Sequence, residues 1–296
     1  MPFAPPVGIT IGDPAGVGPE VTRLALASGR LDPQFSYRTI GDAHGGIPGA
    51  PSEASARAAF DALEQAARML RSGELCAVVT GPVSKIQLQR IGFSFPGQTE
   101  FFAARFDVEN FAMCLTGGAL TVALVTAHVP LRQVAEALSV AEITRVGQLL
   151  ARFLRQRLGT VPRIAVAGLN PHAGESGALG REEIELIAPA VQQLAQEAGD
   201  TAEFTGPLSP DTVFYRAAQG EFDGVLCMYH DQGLIPLKLH AFDSGVNVTL
   251  GLPYPRTSPD HGTAFDIAGS GRARPDSMIA AIRLATELAS KSRDPV

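Results

Sequence analysis

The chain is poor in cysteine, in net charge and in long apolar runs, and each shortage removes a class of protein. Three cysteines, Cys76, Cys114 and Cys227, occur in 296 residues, all within or beside apolar strand-like runs. Their spacing forms neither a Cys-x-x-Cys pair nor a disulfide framework, so a reducing cytoplasm is expected. The formal charge is −6 with no block of like charges, which argues against a sequence-independent grip on nucleic acid. No apolar run approaches the ~20 residues needed to cross a bilayer, so no membrane partner is expected. The opening Met1-Pro2-Phe3-Ala4-Pro5-Pro6 lacks a basic region followed by an apolar stretch, and no signal peptide is expected. Internal repeats and low-complexity segments are also missing.

What is present is 45% hydrophobic and 18% charged residues, the balance of a soluble globular enzyme. The length predicts two domains or one large α/β unit. Apolar runs at Val7 to Ile11, Phe35 to Ile40, Leu75 to Val79, Phe111 to Leu115, Leu120 to Val125, Ile164 to Ala167, Gly224 to Met228 and Val246 to Leu250 read as strands. Pro19 to Ala27, Ser55 to Arg71, Ala141 to Leu158, Arg181 to Glu197 and Ser277 to Ser290 read as helices. The alternation predicts a largely parallel sheet with helices on both sides.

Three of the six histidines follow such strands inside polar turns: His128 in Thr126-Ala127-His128-Val129-Pro130, His172 in Asn170-Pro171-His172-Ala173-Gly174, and His230 in Met228-Tyr229-His230-Asp231-Gln232-Gly233. Turns at the carboxyl ends of parallel strands are where an open α/β sheet builds ligand sites. Three imidazoles delivered there suit the protein share of a catalytic divalent metal site. Asp231 beside His230 suits fixing a tautomer or transferring a proton. His44 and His240 lack such a setting and read as surface residues.

The turn from Gly12 through Asp13 to Gly18 follows a strand and opens a helix, a place for an anion or a nucleotide or simply a tight βα turn. It is neither the dinucleotide fingerprint nor a Walker A loop. Lys85, in Gly81-Pro82-Val83-Ser84-Lys85, puts a cation on a helix's first turn, against the dipole. Lys238, Asn247 and Arg256 offer two cations and an amide to a phosphate or carboxylate, with Arg256 suited to bidentate binding. His261 to Gly269 combines a glycine turn with a short helix or connector.

Taken together, these residues resemble the 4-hydroxythreonine-4-phosphate dehydrogenase family over nearly the whole chain. The matching stretches are Ile9 to Glu20, Thr80 to Lys85, Gly168 to Glu175, Met228 to Gly233 and Gly245 to Pro253. Gly12 to Glu20 and His261 to Gly269 are similar to the amino-terminal turn and the cofactor loop of isocitrate and isopropylmalate dehydrogenases. The resemblance implies that superfamily's fold: two α/β/α domains with the active site in the cleft between them. Residues 1–104 and 243–296 would form the cofactor-side α/β domain, and 105–242 the central domain with metal ligands and dimer contacts.

It also implies roles. The metal ligands fall on His128, His172 and His230, shared between subunits of a homodimer. Substrate contacts fall on Gln98, Thr99, Lys238, Asn247 and Arg256, and two catalytic aspartates near the metal on Asp211 and Asp231. NAD or NADP would meet Gly12, Asp13, His261, Gly262 and Asp266, and the divalent metal would be Zn, Mg or Co. In Gly97-Gln98-Thr99-Glu100, Gln98 stands where the family has histidine; it can donate a hydrogen bond but cannot become cationic. Weaker phosphate binding or a shifted substrate is the expected consequence. The chain is also shorter than the family between Gly41 and Ser55.

The implied activity is metal-dependent, NAD-linked oxidation of 4-phosphooxy-threonine to a 3-keto acid that loses CO2, a step of pyridoxal phosphate (vitamin B6) biosynthesis. Two alternatives stand beside it. One is a sister dehydrogenase acting on 4-phospho-threonate or 4-phospho-erythronate; the other is a non-catalytic phospho-ligand binding protein.

Overall fold

The computed structural model describes residues 5–291; Met1 to Ala4, part of the stretch read for a leader, and residues 292–296 lie outside the described residues. In chain order the first elements are β1 (Val7–Thr10), α1 (Gly18–Ala27), β2 (Tyr37–Ile40), α2 (Glu53–Arg71), β3 (Ala77–Thr80), α3 (Lys85–Arg90) and α4 (Gln98–Arg105). Then come β4 (Ala112–Gly117), β5 (Leu120–Leu124), α5 (Val134–Ala137), α6 (Val140–Leu158), β6 (Arg163–Ala167), α7 (Ala188–Ala198), β7 (Glu203–Leu208), α8 (Val213–Ala218), β8 (Gly224–Cys227) and α9 (His230–Ala241). The last are β9 (Val246–Leu250), β10 (Arg256–Pro259) and α10 (Asp276–Lys291).

Two units result, one running to Glu109 and resuming at Asp243, the other Asn110–Phe242. The first boundary lies five residues beyond the expected 104 because the end of α4 keeps hold of the chain. Val108 N donates to Ala103 O at 2.9 Å, and the Phe106 ring meets Tyr254 with centroids 5.2 Å apart.

In the first unit the strand order is β2-β1-β3-β10-β9. The β1, β2, β3 and β10 pairings are parallel, and β9 runs antiparallel to β10. Alanine and leucine recur on one face of α2, where Ser52 and Ser55 form a reciprocal cap at its start. That face packs into a core with Phe93, Phe101 and Phe102, whose rings meet edge-on or stacked. Arg105 lies over Phe101 and pairs with Glu64.

The second unit has the order β4-β5-β8-β6-β7. β4 and β5 form an antiparallel hairpin turning at Gly118-Ala119, since Thr116 and Gly117 still pair. From β5 onward all pairings are parallel, so β5, β8 and β6 end at the same edge. Helix α6 is capped by Ser139, which accepts from Glu142 N, and ends at Gly159 in the left-handed region. The expected helix from Arg181 begins instead with a π-type turn, Glu183–Ile187, ahead of α7. Pro189 has no N–H to donate into that turn.

Six elements escaped the sequence reading: α4, α5, β7, α8, α9 and β10. His230 stands at the start of α9, not in a free turn, and Gly233 lets this helix lie against the sheet. A Cβ there would sit 3.0 Å from Cys227 Sγ and 3.1 Å from Leu124 Cδ2. Arg256 opens β10, and the segment from His261 to Gly269 contains turns but no helix. No helix among the described residues is long and apolar enough to cross a membrane.

Candidate active site

The second unit carries the histidines. His128 follows β5, His172 follows β6 and His230 follows β8, the three strands that end together. The rings of His128 and His230 lie 5.7 Å apart, centroid to centroid, tilted by 39°. His230 Nδ1 is 2.7 Å from Asp231 Oδ1, so the carboxylate fixes Nδ1 as the protonated nitrogen and leaves Nε2 as the donor toward a ligand. This donor set fits a divalent cation. Among the described residues of one chain, no three His, Cys, Asp or Glu side chains converge on a single point.

His172 has its own setting. Its turn runs through five consecutive left-handed residues: His172 at φ 52°, Ala173 at 51°, Gly174 at 79°, Glu175 at 44° and Ser176 at 57°. For L-residues this conformation costs roughly 1–2 kcal/mol each, so something must hold it. The holder is Glu183, 2% exposed. Its carboxylate accepts from Leu169 N at 2.8 Å, Asn170 N at 2.7 Å and Asn170 Nδ2 at 3.0 Å. Asp211 lies within electrostatic reach of His172. A 2.6 Å hydrogen bond from Ser209 Oγ holds its carboxyl below the usual range, and His172 adds to the effect.

The first unit carries a different site around Arg256, which is 3% exposed. Burial pushes its guanidinium down to about 10, with Glu100 opposing from a distance. Nη1 donates to Thr249 Oγ1 at 3.2 Å and Thr99 Oγ1 at 3.4 Å. Nη2 donates to Thr80 Oγ1 at 2.5 Å and Gln98 Oε1 at 3.3 Å. The bidentate fork expected from the sequence is therefore committed to neutral oxygens, and Nε is the buried donor without a partner. A fully buried cation ringed by hydroxyls is an uncompensated charge, costly until an anion approaches. On β9, Asn247 shares a face with Thr249, and its Oδ1 is also buried without a partner.

Gln98 corrects a detail. Its Nε2 donates to Gly81 O at 3.2 Å while its Oε1 accepts from Arg256. The amide therefore supports the guanidinium, and one of its two N–H donors is engaged while the second is left for a ligand. Lys238 is half-buried on α9, in the second unit.

The glycine turn after β1 is explained by packing. Gly12 has φ +74°, and a Cβ there would lie 2.3 Å from Pro82 O. Asp13 N donates to that same carbonyl at 2.9 Å, and Asp13 Oδ1 accepts from Ala15 N at 3.0 Å. Asp13 Oδ2 is buried and unpartnered. The loop from His261 is tied to this turn: Val17 N donates to Thr263 O at 2.9 Å, and Gly269 N to Glu20 Oε2 at 3.1 Å. His261 Nδ1 faces Gly262 O at 3.0 Å, leaving Nε2 a buried acceptor without a partner. Gly262 and Asp266 are exposed beside it. An orphaned acceptor on an exposed glycine loop fits a nicotinamide nucleotide, whose amide and hydroxyl groups are donors.

Sequence reasoning missed Thr80, Thr249, Glu183 and the role of Gln232. The threonines show no signal beyond their place in strands, and Glu183 reads as an ordinary helix-surface acid.

The model of the family described as pyridoxal phosphate biosynthetic protein PdxA matches residues 25–285. The 4-hydroxythreonine-4-phosphate dehydrogenase of Methylorubrum populi is 42% identical over 342 aligned residues, covering 98% of this chain and 96% of that protein. The crystal structure of the enzyme of that name from Klebsiella pneumoniae superposes with a TM-score of 0.81 at 38% identity, covering 96% of this chain and 99% of that one. A terephthalate 1,2-cis-dihydrodiol dehydrogenase from Burkholderia xenovorans follows at TM-score 0.67 and 28% identity, with 95% and 97% covered. The fold is of the isocitrate/isopropylmalate dehydrogenase type expected from the sequence. Membership follows from the extent of these matches: the chain belongs to the PdxA family.

Proposed function

We propose that this protein is a metal-dependent dehydrogenase that oxidises 4-phosphooxy-threonine with NAD+ to a 3-keto acid, which loses CO2, in pyridoxal phosphate biosynthesis. The observation that carries the reading is the His128–His230 pair at the ends of adjacent parallel strands, in a family whose members bear that dehydrogenase name. When bound, the divalent cation lowers the pKa of the substrate hydroxyl and stabilises the charge of decarboxylation, and NAD+ accepts the hydride.

The chain's own residues divide the remaining work. His128, His172 and His230 supply neutral nitrogens, which favour zinc or cobalt over magnesium. Asp231 fixes the His230 tautomer. Asp211, kept ionised by Ser209, and Asp231 balance the positive charge, and one of the two takes the hydroxyl proton. Arg256, with Thr99 and Asn247, draws the anionic end of the substrate, and Lys238 adds a second cation. His261, Gly262 and Asp266 meet the cofactor, NAD or NADP, while Gly12 and Asp13 shape the turn that backs their loop.

The working form is a homodimer in the cytoplasm. Ile235, Leu239 and Phe242 are 65%, 89% and 76% exposed. At intervals of four and three they form one apolar stripe along α9 and its end, suited to a second copy of the chain. The absence of a three-ligand cluster among the described residues of one chain fits a site that dimerisation completes. The three free cysteines suit a reducing compartment.

The test is NADH formation measured side by side with 4-phosphooxy-threonine and with 4-phospho-threonate and 4-phospho-erythronate, each with Zn2+, Co2+ or Mg2+. Turnover at least tenfold faster with the aminated substrate is expected. Faster turnover of the sugar acids would reassign the enzyme, a reading that Gln98 keeps open. No NADH with any of them would leave a phospho-ligand binding protein.

A further inference from the structure

We propose that Gln232 is a positioning residue: its buried side-chain amide replaces a missing sheet rung and sets the spacing of the three histidine turns. This rests on the cation reading above.

The ladder between β8 and β6 has its last paired residues at Leu226 and Val166. Two residues farther on, at Met228 and Gly168, the Gln232 side chain makes the link. Its Oε1 accepts from Met228 N at 2.7 Å and its Nε2 donates to Gly168 O at 2.7 Å. One side-chain amide thus performs both halves of a peptide group's part in a ladder. It is 7% exposed, and Met228 is fully buried.

The link extends in both directions. Met228 O accepts from Thr126 Oγ1 at 2.7 Å and Thr126 N at 3.2 Å, which joins the turn of His128 to that of His230. Gly168 leads directly into Leu169 and Asn170, whose N–H groups are held by Glu183, the anchor of the His172 turn. Buried hydrogen bonds therefore connect Thr126, Met228, Gln232 and Gly168, and the chain continues from Gly168 through Leu169 and Asn170 to the partly buried Glu183 bonds. Each of the three histidines lies within four residues of one of these residues.

Metal coordination tolerates ligand displacements of only about 0.2 Å. Groups that orient ligands are commonly worth 10–100-fold in metal affinity. Replacing Gln232 with leucine keeps the volume and removes both bonds, leaving Met228 N and Gly168 O buried and unpaired.

The experiment titrates the metal-free, full-length protein with Co2+, recording affinity by calorimetry and ligand geometry by the visible absorption of the bound ion. NAD+ affinity and Tm are measured in parallel. Q232L is expected to weaken Co2+ binding 10–100-fold and to shift the absorption bands, with NAD+ affinity unchanged. T126V removes one bond and is expected to weaken Co2+ binding three- to tenfold; it serves as the readout should Q232L not fold. Co2+ affinity and spectra matching wild type in the folded variant overturn the proposal and leave the cation reading intact. A wild-type protein that binds no Co2+ overturns that reading, and this inference with it.

Discussion

The surroundings of Arg256 and the turn of His172 are both energetically unfavourable places, and they are unfavourable for opposite reasons. Arg256 is charged, buried and ringed by neutral oxygens, so its cost is electrostatic. His172 is exposed and sits in left-handed backbone, so its cost is conformational. Under the proposed function an anion would relieve the first and a cation would give purpose to the second. Such local conflict is expected where a chain trades stability for chemistry.

That contrast can be broken experimentally. The largest effect is expected from H172A, which should lower kcat by roughly 10³-fold or more, the several kcal/mol that a Lewis acid supplies. Its Tm should still rise with millimolar inorganic phosphate, because the Arg256 site is untouched. R256A should show the reverse pattern, keeping its Co2+-dependent rise in Tm and losing the phosphate-dependent one. Its kcat/KM should fall by about 30- to 3,000-fold, equivalent to about 2–5 kcal/mol. If both variants lose both responses, the two regions are not separable and the contrast fails.

A smaller effect is expected from L239D, which puts a charge on the stripe of α9. Sedimentation should show dimer affinity weakened by roughly thirtyfold, about 2 kcal/mol. The smallest concerns Glu64, whose carboxyl is held below the usual range by its hydrogen bond to Arg105. A depressed carboxylate contributes stability above its unfolded value and loses it as pH falls through the folded one. E64Q should therefore cost at most about 1 kcal/mol at pH 7, since solvent screens the pair. In denaturant melts the gap to wild type should close below about pH 4.

Much of the site was legible because a parallel strand followed by a polar turn is a local pattern. His128, His172 and His230 each announce themselves in five or six residues. Helix α9 did not, since Gly233 and Pro236 read as breakers; burial against β5 and β8 outweighs those propensities. Arg256 stood out in the sequence as a candidate anion contact, yet the commitment of its fork to Thr80, Thr99, Thr249 and Gln98 depends on strands and a helix distant in sequence. Glu183 and Gln232 were illegible for the same reason. Gln232 meets Gly168 only once β6 and β8 lie side by side, and Glu183 meets Leu169 and Asn170 only once the turn between them folds back.

Helix α9 begins with His230 and carries Ile235 and Leu239 outward. A second chain seated on the outer stripe would therefore lie on the same helix whose first turn holds the imidazole. Under the proposed dimer, enzyme units per milligram should fall on dilution, and excess Co2+ should partly restore them, because a cation held by both chains favours the dimer.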